Sequence, residues 1–265
     1  MTHVISFDVG SAQRRIGVNV ATSRQLFAEI DGRLNDGQGF ALATLNLDHL
    51  AKLRCSRAFR AAYAAQDIVV ADGNPVVWLS RLAGRGVELM PGSELIEPIC
   101  ALAAARGARV AMFGATESTL SAAARRLERA NPGLRVAHLE APAFGFDPEG
   151  PEADAAIARI AASGARICFV ALGAPKQEIL AARARLGAPA CGFVSIGAGL
   201  DFIAGAQLRA PRAMRALALE WLWRLALQPR RLGRRYLDCA MLLPRLTLDA
   251  LRNRAAEGGP HAFRH

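Results

Sequence analysis

The chain has 265 residues, is 52% hydrophobic and carries a formal charge of +10, enough to bury a core in one large domain or one domain plus an appendage. That charge is uneven: residues 205–265 hold 12 Arg against 4 acidic residues, while residues 1–204 are close to balanced. Five cysteines without a CxxC pair exclude a disulfide framework and a thiolate metal cluster and suit a reduced cytoplasmic setting, and neither a signal peptide nor a spanning apolar segment is recognisable.

In chain order, β-type runs are predicted at Arg15–Val20, Phe40–Leu45, Asp67–Ala71, Arg109–Phe113, Leu134–Leu139, Arg166–Leu172 and Cys191–Ile196. Amphipathic stretches alternate with them at Leu47–Ala64, Pro75–Leu82, Ser93–Ala105, Thr116–Arg129, Glu152–Ser163 and Lys176–Leu186. Strands separated by helices of this length imply parallel βαβ units. Ala141–Gly150, with two prolines and two glycines, reads as a loop. The texture changes after Asp201. Pro211–Gln228 is expected as one helix stopped by Pro229, followed by an Arg cluster and an apolar stretch, Leu237–Leu248, broken at Pro244. Trp and Tyr beside Arg is the mixture found at a membrane interface. The expected class is therefore α/β: a mainly parallel, Rossmann-like sheet flanked by helices over residues 1–204, with a basic helical C-terminal appendage over residues 205–265.

Ligands of open parallel sheets bind at the carboxyl ends of the strands. Those ends carry Thr44 and Asn46, Asp72-Gly73-Asn74, Gly114 with Thr116, Gly173 to Gln177, and Gly197-Ala198-Gly199-Leu200-Asp201. In Leu172-Gly173-Ala174-Pro175-Lys176-Gln177-Glu178 a buried-type run gives way to a helix. Pro175 suits the first helical position, and the free amides of the first turn, with Lys176 and Gln177, make a place for an anion. Asp72, at a strand end and followed by Gly73, can project a carboxylate into the cleft or cap the helix that follows. Thr44 and Asn46 suit sugar hydroxyls or simply a strand-end turn, and Asp201 suits either donor hydroxyls or a turn cap.

Four blocks together resemble the WecG/TagA/CpsF glycosyltransferases, grouped as glycosyltransferase family 26. They are Thr44-Leu45-Asn46-Leu47-Asp48-His49, Val69-Val70-Ala71-Asp72-Gly73 through Trp78, and Gly173-Ala174-Pro175-Lys176-Gln177-Glu178. The fourth runs from Gly197-Ala198-Gly199-Leu200-Asp201 through Arg209-Ala210-Pro211 and Glu220-Trp221-Leu222-Trp223-Arg224 to Pro229-Arg230-Arg231. The resemblance implies metal-independent, inverting transfer of N-acetylmannosamine, its uronic acid or glucose from a UDP-sugar to an undecaprenyl-diphosphate-linked sugar, in exopolysaccharide or other cell-envelope synthesis. It also implies peripheral attachment to the inner face of the bacterial cytoplasmic membrane. Asp72 is then the general base. Thr44, Asn46, Lys176, Gln177 and Asp201 are the substrate-binding set, and Arg224, Arg231 and Arg234 receive the acceptor diphosphate. No cofactor or metal is expected: there is no Asp-x-Asp motif, so side-chain cations and helix amides must balance the leaving diphosphate.

One stretch departs from the family pattern. The family reads Glu-Arg-Val-Thr-Gly-Ser-Asp-Leu where this chain has Glu88-Leu89-Met90-Pro91-Gly92-Ser93-Glu94-Leu95, which leaves the donor sugar open and keeps an impaired member as an alternative. A nicotinamide oxidoreductase lacks its Gly-x-Gly-x-x-Gly turn here. A nucleic-acid module could use the basic tail, but the apolar faces beside the arginines fit lipid better. Self-association is left open.

Overall fold

The computed structural model describes residues 3–9, 15–207, 211, 214, 220–227 and 229–257. A six-stranded, all-parallel sheet forms the centre. In chain order its strands are β3 (Phe40–Leu45), β4 (Ile68–Ala71), β5 (Arg109–Gly114), β6 (Arg135–Glu140), β7 (Ile167–Ala171) and β8 (Gly192–Ser195), arranged β4-β3-β8-β7-β5-β6. All residues of β3, β4 and β8 are buried, which is why they read as continuous apolar runs without alternation. The edge strand β6 alternates exposed and half-buried positions and carries Arg135, His138 and Glu140, charges that discourage further pairing.

Period-two alternation divides the core between the two faces. Phe40, Leu42, Val70, Met112, Phe169 and Val194 pack with the helices α1 (Ser23–Asn35), α5 (Gly92–Ala105), α6 (Glu117–Ala130) and α9 (Gly199–Ala204). On the other face, Ala111, Phe113, Cys168, Val170 and Phe193 meet α7 (Pro151–Ala162) and α8 (Lys176–Gly187). There too, Ala43, Leu45, Val69 and Ala71 join a cluster that includes α2 (Leu47–Cys55), α3 (Arg57–Ala64) and α4 (Asn74–Leu82).

Several elements differ from the sequence expectation. Arg15–Val20 does not enter the main sheet: β2 (Arg15–Val18) pairs antiparallel with β1 (Ile5–Asp8) as a separate two-stranded sheet. The expected helix Leu47–Ala64 is two helices, because extended Ser56 ends α2 and accepts the Phe59 N–H to cap α3. Pro244 does not break the C-terminal stretch. It lies exposed inside a continuous helix, α11 (Pro229–Glu257), preceded by α10 (Glu220–Leu227). The part of the expected Pro211–Gln228 helix between Pro211 and Glu220 lies, apart from Met214, outside the described residues.

The helix α11 is apolar on two opposite sides. Leu232, Cys239, Leu242, Leu246 and Ala250 are buried, and the last three enter the cluster of β1, α2 and α4. Leu237, Met241, Leu248 and Leu251 form the outer stripe and are exposed, flanked by exposed Arg230, Arg234, Arg245 and Arg252. None of the helices among the described residues is long and apolar enough to cross a membrane.

Candidate active site

The carboxyl ends of β4, β3, β8 and β7 stand side by side, and the polar residues singled out from the sequence gather there. The register pairs Thr44 with Val70 and Leu45 with Ala71, and the Asp72 N–H donates to Leu45 O at 2.8 Å, carrying the ladder one step further. Period two therefore turns Thr44 and Asp72 toward the α5 face. There Thr44 Oγ1 donates to Asp72 Oδ2 at 3.3 Å. Thr44 is buried, whereas Asp72 is half-buried. Gly73 leaves the strand at φ +97°, a conformation glycine adopts without strain.

Two helix starts border this pair: α4 follows Gly73 directly, and Gly92 of α5 lies against Thr44. Of the helices beginning along the edge, α2 and α6 are capped by Asn46 and Thr116, whereas α4, α5, α8 and α9 have no side-chain cap. The start of α5 is pressed against the end of β8: a Cβ on Gly92 would lie 3.1 Å from Ile196 Cα and 3.4 Å from Thr44 Cγ2, so a larger residue would force its neighbours to give by a few tenths of an ångström. The start of α9 is equally near α5, since a Cβ on Gly199 would stand 3.2 Å from Ser93 Cα. Some of their first-turn N–H groups bond within the turn, as Glu94 N–H does to Pro91 O at 2.8 Å, but the positive end of the helix dipole still makes such starts a setting for phosphate oxygens. An open groove continues along α5, lined by Ser93, Glu94, Glu97 and Ile203; Asp72 does not line it.

The remaining sequence candidates serve structural bonds. Asn46 Oδ1 accepts the His49 N–H at 2.9 Å. Gln177 is only 2% exposed; its Oε1 accepts the Gly197 N–H at 2.9 Å and its Nε2 donates to Glu178 Oε1 at 2.7 Å. Lys176 Nζ donates to Phe146 O at 2.6 Å, securing the loop before α7. Asp201 accepts from Gln207 Nε2 at 3.0 Å, and partial burial raises its pKa. Arg234 is exposed on α11. Arg224 and Arg231 fall in α10 and α11, but their side chains lie outside the described residues. Leu89, at the departure from the family pattern, is exposed and bridges Ala71, next to Asp72.

Sequence reading missed a buried polar layer beneath the cleft. The Tyr63 hydroxyl lies 2.6 Å from His49 Nδ1 and 3.3 Å from Thr44 O, and His49 Nδ1 is 4.0 Å from Glu178 Oε1. Burial pushes the His49 imidazole down to about 3 and the Glu178 carboxyl up to about 7, and it raises the Tyr63 phenol well above its ordinary value. Beside them, Asp48 Oδ2 meets Lys52 Nζ at 2.8 Å and Asp48 Oδ1 meets Arg235 Nε at 2.5 Å. Asp48, His49 and Glu178 all lie inside the quoted sequence blocks; Tyr63 lay in a stretch read only as amphipathic helix. Among the described residues no group of three His, Cys, Asp or Glu side chains is placed to hold a metal ion.

A parallel α/β sheet whose carboxyl edge joins the half-buried Asp72 carboxylate to several helix starts without a side-chain cap is the place where α/β enzymes hold their ligands. The model of the glycosyl transferase WecG/TagA/CpsF family matches residues 14–256, and the chain belongs to that family. It is accordingly a glycosyltransferase of cell-surface polysaccharide synthesis, acting on a sugar donor and an acceptor.

Proposed function

We propose that the chain is a metal-independent, inverting enzyme of family 26 that moves N-acetylmannosamine, its uronic acid or glucose from a UDP-sugar to an undecaprenyl-diphosphate-linked saccharide. The observation that carries this reading is the half-buried Asp72 carboxylate, oriented by Thr44 at the strand end from which the uncapped α4 departs, with the uncapped start of α5 lying against Thr44. In the proposed step the acceptor hydroxyl attacks the anomeric carbon from the face opposite UDP. Asp72 takes the hydroxyl proton, a general-base contribution of about 10²–10⁴-fold. The anomeric C–O bond breaks and UDP departs with the electron pair. Its growing negative charge meets the amides of the helix starts, which need no reorganisation as the bond breaks.

In this reading Thr44 holds the base and, with the Nδ2 group of Asn46, faces the donor sugar. Gln177 acts where the turns after β7 and β8 join, beside the transferred sugar. Lys176 and Asp201 complete the substrate set, each exchanging one present bond, to Phe146 O and to Gln207 Nε2, for one to ligand. Residues 205–265 form the appendage. Arg224, Arg231 and Arg234 receive the acceptor diphosphate there, their planar forks suiting paired phosphate oxygens.

The two-sided helix α11 supports peripheral attachment to the inner face of the cytoplasmic membrane. One side docks on the body, and the other offers Leu237, Met241, Leu248 and Leu251 beside exposed arginines, the pattern of an interfacial helix on anionic lipid. Trp221, packed edge-on against Tyr236 at 6.0 Å, and Trp78 of α4 add exposed aromatic surface. The test is consumption of individual UDP-sugars with a short-chain polyprenyl-diphosphate-linked GlcNAc acceptor in the presence of EDTA. Acceptor-dependent release of UDP from one donor supports the reading. No release from any donor, or release abolished by EDTA, counts against it.

A further inference from the structure

The Asp48 carboxylate is 8% exposed and carries two cations from different places. Lys52 reaches Oδ2 from one turn further along α2, and Arg235 reaches Oδ1 from α11. Stripping either cation would leave a buried charge with half its compensation, a change that is strongly destabilising locally. Lys52 does a second thing: its Nζ donates to Ala174 O at 3.2 Å, in the turn that opens α8. Three residues on, Gln177 accepts the Gly197 amide. Side-chain contacts thus run from α11 through Arg235, Asp48 and Lys52 to Ala174 O; the backbone of the α8 start then leads from Ala174 to Gln177, which accepts the Gly197 amide.

We infer that Arg235, Asp48 and Lys52 form a positioning triad through which the docking of α11 fixes the turn after β7 and, through Gln177, the glycine turn after β8. Each of the three acts through the turns that border the cleft pair. With Arg235 on Asp48, Lys52 serves the carboxylate and Ala174 O together; withdrawal of Arg235 would draw Lys52 wholly to the carboxylate and loosen the α8 start. Contact of α11 with a surface or ligand would then change the cleft at a distance, as coupling through one shared ion triad requires. The inference about the turns stands on these contacts alone; its consequence for turnover rests on the proposed function.

The experiment is amide hydrogen exchange on the full chain, alongside transfer kinetics, for the native protein and for Arg235→Met, Arg235→Lys and Lys52→Met. Exchange at residues 176–179 and 197–199 should rise about fivefold or more in Arg235→Met and return toward the native rate in Arg235→Lys. Lys52→Met, which keeps the Arg235–Asp48 pair, should loosen the same turns while α11 stays protected, separating the relay from loss of the helix. Changes confined to α11 and α2, or native exchange at the two turns in Lys52→Met, would overturn the inference. With an active native enzyme, kcat should fall by a similar factor in both Met variants and recover in Arg235→Lys; unchanged kcat beside loosened turns refutes the catalytic part. A native protein with no transfer activity refutes the proposed function instead, and exchange still decides the triad.

Discussion

Gln177 and Gly197 lie twenty residues apart, and the side-chain carbonyl of one receives the backbone amide of the other at 2.9 Å. The turns following two adjacent strands are thereby one unit, with Glu178 held beneath it by the same amide group. Gln177→Ala leaves buried donors and acceptors unpaired, at a cost of about 1–3 kcal/mol. Urea unfolding should show that loss, and transfer should fall further than the stability change explains. An alanine variant with native stability would mean that the bond contributes nothing to the folded state.

Asn46 serves α2 through Oδ1, and in the proposed reading serves the donor sugar through Nδ2. The two roles separate by substitution. Asn46→Ala removes the cap and should cost about 0.5–2 kcal/mol, whereas Asn46→Asp keeps a capping oxygen and should preserve the unfolding midpoint. If the amide contacts substrate, the Asp variant has a raised donor KM despite its native stability. Native kinetics in Asn46→Asp would confine the residue to capping.

Glu178 and His49 pull the pH dependence of stability in opposite directions. Burial raises Glu178 from about 4.5 to about 7, so its contribution is present at low pH and is lost as pH rises through 7. Burial lowers His49 from 6.5 to about 3, so its contribution is present above 6.5 and is lost as pH falls toward 3. Between about 4.5 and 6.5 the folded chain holds the Glu178 proton while the unfolded chain holds the His49 proton, and the two slopes cancel. Glu178→Gln removes one arm. Its stability should then decline below pH 6.5 more steeply than that of the native protein, by up to about 1.4 kcal/mol per pH unit. Denaturant midpoints at pH 5, 6 and 7 measure this; parallel profiles would refute it.

The two sides of α11 should respond differently to mutation. Leu246 is 2% exposed and Met241 75% exposed. Leu246→Ala should destabilise by about 2–5 kcal/mol, while Met241→Asp should leave the unfolding midpoint within about 0.5 kcal/mol. With lipid, the order reverses: Met241→Asp combined with Leu237→Asp should abolish flotation with anionic vesicles in low salt. Native flotation by that double variant would remove the membrane assignment from the outer stripe.

The parallel sheet was legible because its inner strands are buried on both faces, so unbroken apolar runs such as Phe40–Leu45 and Arg166–Leu172 stood out between helical stretches. The helix α1 was not, since Asp31-Gly32 within it reads as a turn; tertiary burial of Leu26 and Ile30 overrides that signal. Pro244 misled for a related reason. A proline in a helix normally costs about 3 kcal/mol, and here the buried Leu242 and Leu246 on either side hold the helix through it. In the site, strand-end position correctly brought Thr44, Asn46, Asp72 and Gln177 to one edge. It could not show that Asn46 and Gln177 spend their groups on the chain's own amides, because those bonds join segments that only the folded sheet brings together. Asp48 was equally opaque: its Arg235 partner is 187 positions away, in a basic run where no single arginine is distinguished by sequence.

The catalytic assignment is tested most directly by the kcat of Asp72→Asn, an isosteric change that keeps an acceptor for Thr44 Oγ1 but cannot take a proton. Measured at saturating donor and acceptor with a native circular dichroism spectrum, turnover should fall by about 10²–10⁴-fold while donor affinity is retained. Turnover within a few-fold of the native enzyme would contradict the assignment of the base and the mechanism built upon it.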